Sequence, residues 1–420
     1  MYDVVIAGAG PAGATAACCL AESGVRVLLV DKATFPREKP CGGGLQARLL
    51  KHIPVDLSPV IRSAMYGVTF THQFGERYTR SCPEPLVFGT LRREFDAFLV
   101  GHAVRRGATL LEATTVKGFE KRGDGSVDVS TSGGAFRGRV LVGADGANGV
   151  VRRALNDESA FFSQVGLYCE IDRGLIREEN VDPRLMRVDW GTLASGYAWI
   201  FPKTDVINVG VGCPVPLGRS LREYFREFLE RERVLKADSP DLERLGVSGH
   251  KLPTLTGRTR LQDGNVILIG DAAGLIEPFT GDGISYGVHS GRLAAATIAA
   301  WLNGDCPDLS EYTDSVGREI APEILHSRKL MAFFNTFPRM IHDVFRRNDR
   351  VWDAFCRILQ GDQSYAALRR TETGPSDFAW KLIDRFTLNY EANKMATPRT
   401  RETRFQQIVR RTLGYVFERV

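Results

Sequence analysis

Residues Tyr2 to Ala7 (YDVVIA) read as a short buried strand that runs directly into the glycine turn G-A-G-P-A-G, with Gly8, Gly10 and Gly13 at fixed spacing. Ala14 to Ser23 read as the helix behind the turn, and a second apolar strand, Val25 to Val30, ends at Asp31. Strand, glycine turn, helix, strand and acid in this order are the fingerprint of a dinucleotide-binding fold. Gly8 permits the tight turn, Gly10 lets the backbone approach a pyrophosphate, and Gly13 lets helix and strand pack closely. The helix N-terminus then offers free N–H groups and partial positive charge to phosphates, and Asp31 can accept the hydroxyls of an adenosine ribose.

The rest of the chain narrows this to a long cofactor. Strand character recurs over Leu110 to Gly118, Val127 to Ser132 and Ala135 to Val142, after an amphipathic helix from Arg93 to Arg106. A second set of strands is expected at Gly67 to Arg80, Val165 to Ile171, Arg187 to Trp190, Tyr197 to Pro202 and Val206 to Gly212, followed by a helix over Leu217 to Lys236. The fold class expected is α/β: a discontinuous Rossmann-type domain (1–65, 86–155 and 250–305), an inserted mixed or antiparallel sheet that forms a substrate domain (66–85 and 156–249), and a helical C-terminal region (306–420). Such a division suits an FAD-binding oxidoreductase, in which the cofactor lies across the first domain and the inserted sheet roofs the flavin. Two strand ends carry an acid among small residues: Gly143-Ala144-Asp145-Gly146 and Gly270-Asp271-Ala272-Ala273. Gly281-Asp282-Gly283-Ile284 opens a long helix whose N-terminal N–H groups suit the negative charge of a reduced flavin.

Composition excludes several classes. At 420 residues, 43% hydrophobic and 25% charged, the chain has the make-up of a globular protein with a large core. No run approaches the ~20 apolar residues of a membrane span, and no signal peptide is expected at the N-terminus. The eight cysteines are scattered without a CxxC pair, which argues against a zinc site or a disulfide framework and fits a reducing cytoplasm; no metal site is expected. A net charge of +5 gives no basis for nucleic-acid binding.

With these motifs in order, residues 1 to about 305 resemble the flavoprotein group that includes aromatic hydroxylases, flavin-dependent halogenases and geranylgeranyl reductases. Lys39-Pro40-Cys41-Gly42-Gly43-Gly44 is similar to the Cys-Gly loop of the geranylgeranyl reductases, and Gly196-Tyr197-Ala198-Trp199-Ile200-Phe201-Pro202-Lys203 to their Tyr-x-Trp-x-Phe-Pro substrate motif. Asp282 and Asp31 stand where that family often has Glu, with the charge kept. The resemblance implies that Gly8, Gly10, Ala12 and Gly13 sit on the pyrophosphate and Asp31 on the adenosine ribose. It brings Arg92 to the cofactor, Val116 to the adenine through its backbone, and Asp145, Gly270 and Asp271 to the ribityl and pyrophosphate region. It sets Cys41, Gly42, Gly43, Gly281, Gly283 and Ile284 near the isoalloxazine.

The implied activity is reduction of carbon–carbon double bonds in a geranylgeranyl or longer polyprenyl group, whether of a diphosphate, an ether lipid, a chlorophyll precursor or a quinone. Tyr197 and Trp199 are the substrate-pocket candidates, with Phe201 on the same side of the strand; they serve equally as core packing. Cys41 either gates the flavin, shapes the channel or relays a proton, or is a small residue in a tight loop. His289 and Tyr286 are weaker proton-donor candidates that otherwise pack or bond locally, and Glu277 and Asp282 flank the loop at Gly283, either as proton donors or as solvated side chains. No second strand–GxGxxG unit exists for a nicotinamide, so electrons are expected from transient NAD(P)H or a ferredoxin-like protein. The rivals are an FAD-dependent monooxygenase or halogenase, the latter with Lys203 in its tunnel, and a non-catalytic flavin or lipid carrier. Leu330 to Arg347 and Phe405 to Val420 mix apolar and basic residues, which suits peripheral contact with an anionic bilayer or packing on the protein body.

Overall fold

The structure is a computed structural model; it describes residues 1–193, 195–215, 220–237, 239–240 and 244–370, without the side chains of 369 and 370. Strand Tyr2–Ala7 lies at the centre of a parallel sheet whose strands run in the order Val266–Leu268, Gly134–Gly143, Tyr2–Ala7, Val27–Val30, Thr109–Leu111. Unbroken apolar runs such as Val4 to Ala7 are what a strand covered on both faces requires. Gln262–Asp263 adds an antiparallel edge, and the ribbon Val116–Lys121 and Val127–Thr131 hangs from Gly134–Gly143. Helix Pro11–Glu22 begins with proline in its first turn, where the missing N–H removes no helical bond. It packs against helices Arg92–Arg105 and Ile284–Asn303. The contact with the last is close: a Cβ on Gly291 would lie 2.5 Å from the Ala12 carbonyl oxygen.

The second sheet has seven strands in the order Ser248–Leu255, Phe161–Asp172, Val206–Pro214, Tyr197–Pro202, Leu185–Trp190, Gly67–His72, Tyr78–Ser81. All neighbours are antiparallel except Leu185–Trp190 with Gly67–His72. Its two faces alternate. Ala198, Ile200, Val209 and Val211 pack with helix Leu221–Glu232, whereas Tyr197, Trp199 and Phe201 face the first sheet's turns. Three expected boundaries differ. Gly67 to Arg80 splits into two strands around Gln73 and Phe74, both with positive φ. The helix expected over Leu217 to Lys236 is described over Leu221–Glu232 and stops where Arg233 turns left-handed. Ser248–Leu255 pairs along Phe161–Asp172, so the chain rejoins the first sheet at Gln262, later than residue 250. A small sheet of Gly44–Gln46, Val87–Gly89 and Ser63–Met65 anchors the end of the Cys-Gly loop.

The C-terminal part folds into helices Ser310–Glu319, Ala321–Thr336, Pro338–Arg347, Asp349–Gln360 and Tyr365–Arg370. The segment Leu330 to Arg347 is not a surface for lipid. Phe333, Phe337, Met340, Ile341 and Phe345 are buried in one cluster with Phe70 of the second sheet and Trp352. Phe345 meets Phe70 and Trp190 edge-on, with ring centroids 6.0 and 6.1 Å apart. The apolar stripe is turned inward because the sheet offers it an aromatic surface to cover. The segment Phe405 to Val420 lies outside the described residues. Among the described residues no helix is long and apolar enough to cross a membrane.

Phe345→Ala is expected to cost about 3–5 kcal/mol of unfolding free energy in urea titrations, as for a core aromatic. A cost near zero would return this segment to the surface.

Candidate functional site

The turns at the carboxyl ends of the first sheet and the aromatic face of the second enclose a cavity of about 890 Å³. Gly8, Gly10 and Ala12 line its floor. Gly8 has φ +105°, and a Cβ there would lie 2.3 Å from the Ala144 carbonyl oxygen, so the turn must be glycine. Gly13 does not line the cavity. A Cβ on it would lie 2.0 Å from the Gly8 carbonyl oxygen, so Gly13 sets the packing beneath the turn rather than touching a pyrophosphate. Asp31 lines the cavity while accepting the N–H groups of Ala9 (2.7 Å) and Ala33 (2.9 Å). Val116 lines the same end.

Positive charge gathers beside this floor. Arg92 donates two bonds of 2.8 Å to Asp96, which also takes Arg37 at 3.1 Å. Two guanidinium groups thus share one fully buried carboxylate, leaving a surplus positive charge at the start of helix Pro11–Glu22. Arg37 Nη1 is buried without a partner, and its Nη2 is the atom nearest a Cβ built on Gly10, at 3.8 Å. Lys39 Nζ lies 3.0 Å from His250 Nε2, which lies 3.3 Å from Asp271 Oδ2. Burial brings the Lys39 ammonium down to about 8. Burial pushes the Asp271 carboxyl up, but His250 and the charges of Lys39 and Arg92 outweigh it and hold its pKa below the usual value. Asp145 caps helix Val150–Leu155 by accepting the Val151 N–H at 2.8 Å. Its other oxygen is buried and unpartnered, and burial raises its pKa to about 6. Arg37 and His250 carried no signal in the sequence, and Lys39 stood out only as the start of the Cys-Gly loop motif, because loop and strand ends bring them to the floor.

The wall opposite is a clamp. The Trp199 N–H donates to Asn208 Oδ1 at 2.9 Å, and Asn208 Nδ2 donates to the Cys41 carbonyl at 3.2 Å. The Trp199 ring lies against Gly210, where a Cβ would come within 2.1 Å, and against Gly42, where it would sit 3.3 Å from the indole nitrogen. Gly43, with φ +65°, and Cys41 also line the cavity. Cys41 Sγ accepts the Gly43 N–H at 3.3 Å. Tyr197 OH donates to the Thr280 carbonyl at 2.9 Å, which draws Gly281 under the ring. Gly270, Gly281, Gly283 and Ile284 line this side, and Asp271 Oδ1 lies 3.2 Å from where a Gly283 Cβ would stand.

Of the four weaker candidates only Asp282 lines the cavity. His289 stacks on His52 with centroids 4.0 Å apart and reaches Glu319 at 2.9 Å, away from the cavity. Tyr286 accepts Arg48 Nη1 at 2.5 Å in a buried network. Glu277 and Asp282 are buried rather than solvated. Glu277 holds the Phe279 and Thr280 N–H groups, and Asp282 accepts the Ser285 N–H at 3.1 Å and pairs with Arg48 at 3.5 Å. Beyond the clamp, the cavity continues as an apolar chamber. Phe70, Val188 and Trp190 of the sheet face Met331, Phe334 and Phe345 of the C-terminal helices. The amphipathic pattern of those helices was visible in the sequence, but not what their stripes would cover.

The model of the FAD binding domain family matches residues 1–168. A menaquinone reductase of Mycobacterium tuberculosis is 31% identical over 365 residues, covering 81% of this chain and 85% of the relative. Digeranylgeranylglycerophospholipid reductase 1 of Methanothermobacter thermautotrophicus is 30% identical over 359 residues, covering 80% and 87%. The chain belongs to the geranylgeranyl reductase family of FAD-dependent oxidoreductases. A geranylgeranyl bacteriochlorophyll reductase-like protein of Thermoplasma acidophilum shares the fold, with a TM-score of 0.68 at 20% identity over 93% of this chain and 98% of that one. The cofactor of this family member is FAD, and the floor fits it. The glycine turn admits a backbone-hugging diphosphate, Arg37 Nη1 supplies an unpaired donor beside it, and Asp31 keeps lone pairs for a ribose.

Arg37→Met is expected to weaken FAD binding by about 10- to 100-fold in fluorescence titrations, since it removes a buried charge-assisted donor. FAD affinity is expected to fall as pH rises through about 8, where Lys39 loses its charge beside an anionic ligand. Lys39→Met should flatten that fall.

Proposed function

We propose that the protein reduces isolated carbon–carbon double bonds of a polyprenyl lipid, with electrons entering from transient NAD(P)H or a ferredoxin-like carrier. The observation that carries this reading is one cavity with two unlike halves: a charged cradle that fits FAD and an apolar chamber that fits a hydrocarbon chain. Bound FAD, once reduced, supplies hydride. A trisubstituted alkene with no conjugated carbonyl has no electron sink, so a proton must reach one carbon as hydride reaches the other. Water must be kept out, and a proton-bearing group must stand near the boundary of the two halves.

This chain's residues suit both demands. Tyr197, Trp199 and Phe201 form a row with ring centroids 5.6 and 6.1 Å apart, and the clamp through Asn208 closes the Cys-Gly loop over it. Tyr197 OH is engaged by Thr280, which leaves it a wall rather than a donor. Cys41 accepts the Gly43 N–H through sulfur and keeps its thiol in the cavity wall. Tyr168 shares a cross-strand row with Gly210 and Trp199, and burial raises its pKa, so its hydroxyl holds a proton at neutral pH. Lys203, the residue a halogenase reading needs in its tunnel, is buried and paired with Glu170 at 2.5 Å, and does not line the cavity.

Dithionite-reduced holoenzyme, incubated without oxygen with polyprenyl lipids, is expected to reoxidise and to yield products heavier by one hydrogen molecule per reduced alkene in mass spectra. Substrate-stimulated oxygen uptake with a hydroxylated product would favour the monooxygenase reading, and absence of anaerobic reoxidation a carrier. Cys41→Ala is expected to slow anaerobic reoxidation by about 100-fold with FAD retained, as for loss of a positioned proton donor.

A further inference from the structure

The apolar chamber contains polar atoms that have no partner among the described residues. Gln164, on strand Phe161–Asp172, is buried and faces the cavity. Its Nε2 points at Met331 Sδ, 3.6 Å away, and its Oε1 has no partner. Asn335 lies one helical turn beyond Met331 and lines the same cavity, so its side chain shares that face of helix Ala321–Thr336. Asn335 Nδ2 is buried and also unpaired. Strand and helix therefore bring an unpaired acceptor and an unpaired donor to the neighbourhood of Met331. An unmet buried polar group forfeits the hydrogen bond it made to water and is destabilising. Two of them in a wall of Met, Phe and Leu are a poor solution for a pocket that holds hydrocarbon alone.

The charges of the cavity sharpen the point. Arg37 and Arg92 are held on Asp96 and Lys39 on His250, whereas Gln164 and Asn335, the polar side chains beside Met331, are neutral amides. A diphosphate held by these amides alone would have no charged partner of its own, which buried charges need. A neutral hydroxyl is different: it donates once and accepts twice. It can give its proton to Gln164 Oε1 while it accepts from Asn335 Nδ2.

We propose that Gln164 and Asn335 form a specificity subsite for a neutral hydroxyl on the polyprenyl substrate, held in the cavity wall around Met331. This rests on the polyprenyl reading above and narrows it to substrates with an uncharged, hydroxyl-bearing group, against diphosphates.

The test uses FAD-loaded full-length protein and three probes: geranylgeraniol, its methyl ether and geranylgeranyl diphosphate. Binding is read by calorimetry, and turnover by anaerobic flavin reoxidation. The ether keeps the acceptor oxygen but loses the donor. The alcohol is expected to bind about tenfold tighter than the ether, the effect of one hydrogen bond to a buried acceptor, and tighter than the diphosphate. Gln164→Leu is expected to bring the alcohol-to-ether ratio to about one. Asn335→Leu is expected to weaken alcohol and ether together. Retained yellow FAD shows that each variant folds, and either variant alone tests its half of the subsite. Equal binding of alcohol and ether by the unaltered protein, with both turned over, overturns the subsite and leaves the polyprenyl reading standing. Tighter binding of the diphosphate, or an unchanged alcohol-to-ether ratio in Gln164→Leu, does the same. Failure to bind or reduce any of the three overturns the polyprenyl reading itself.

Discussion

The seating of Trp199 between Gly210 and Gly42 joins the two halves of this molecule. The ring lies flat only because Gly210 has no side chain, and its N–H reaches Cys41 through Asn208. Two residues earlier on the same strand, Tyr197 reaches the Thr280 carbonyl. One strand of the second sheet is thus hydrogen-bonded to both the Cys-Gly loop and the loop ahead of Ile284–Asn303, the two walls of the cofactor cradle. Sheets carried by different parts of a chain ordinarily shift against each other. These buried bonds fix where the roof stands over the floor, and so where a substrate would meet a cofactor.

Polarity divides along the same line. On the floor side, buried ions come as compensated groups: Arg37 and Arg92 on Asp96, Lys39 with His250 and Asp271. Buried charge persists only when paired in this way, and the cation left over where Arg37 and Arg92 share Asp96 lies beside Gly10 of the glycine turn. On the chamber side, the sheet and the C-terminal helices present rings and methyl groups. The boundary between the two is where an apolar alkene and a charged redox cofactor can come within reach of each other.

Much of this was readable from the residues. The glycine turn, Asp31 and the strand Tyr197–Pro202 could be read from local pattern alone, because turn geometry and strand alternation leave direct marks on sequence. The edge strand Ser248–Leu255 could not: its Pro253 and its Lys-His pair are tolerated only because one side of the strand is unpaired. Arg37 and His250 were invisible because their place depends on a carboxylate brought from elsewhere in the chain. The place of Glu277 stayed open between site and solvent because nothing local reveals the cap it forms over the Phe279 and Thr280 amides. Helices Ala321–Thr336 and Pro338–Arg347 show the deepest limit. An apolar stripe edged with arginine has the same pattern whether it meets lipid or an aromatic sheet, and only the sheet's position decides.

The central claim is that a single enclosed passage runs from the FAD cradle, past Trp199, into the chamber under the C-terminal helices. Photolabelling of the FAD-loaded protein with a diazirine-bearing polyprenyl probe, followed by peptide mapping, tests it directly. The account predicts labels on the sheet face around Phe70 and Trp190 and on the helices carrying Met331, Phe334 and Phe345, all lost on competition with unlabelled polyprenyl lipid. Labels confined to the outer surface, or chamber labels that competition leaves unchanged, would contradict it.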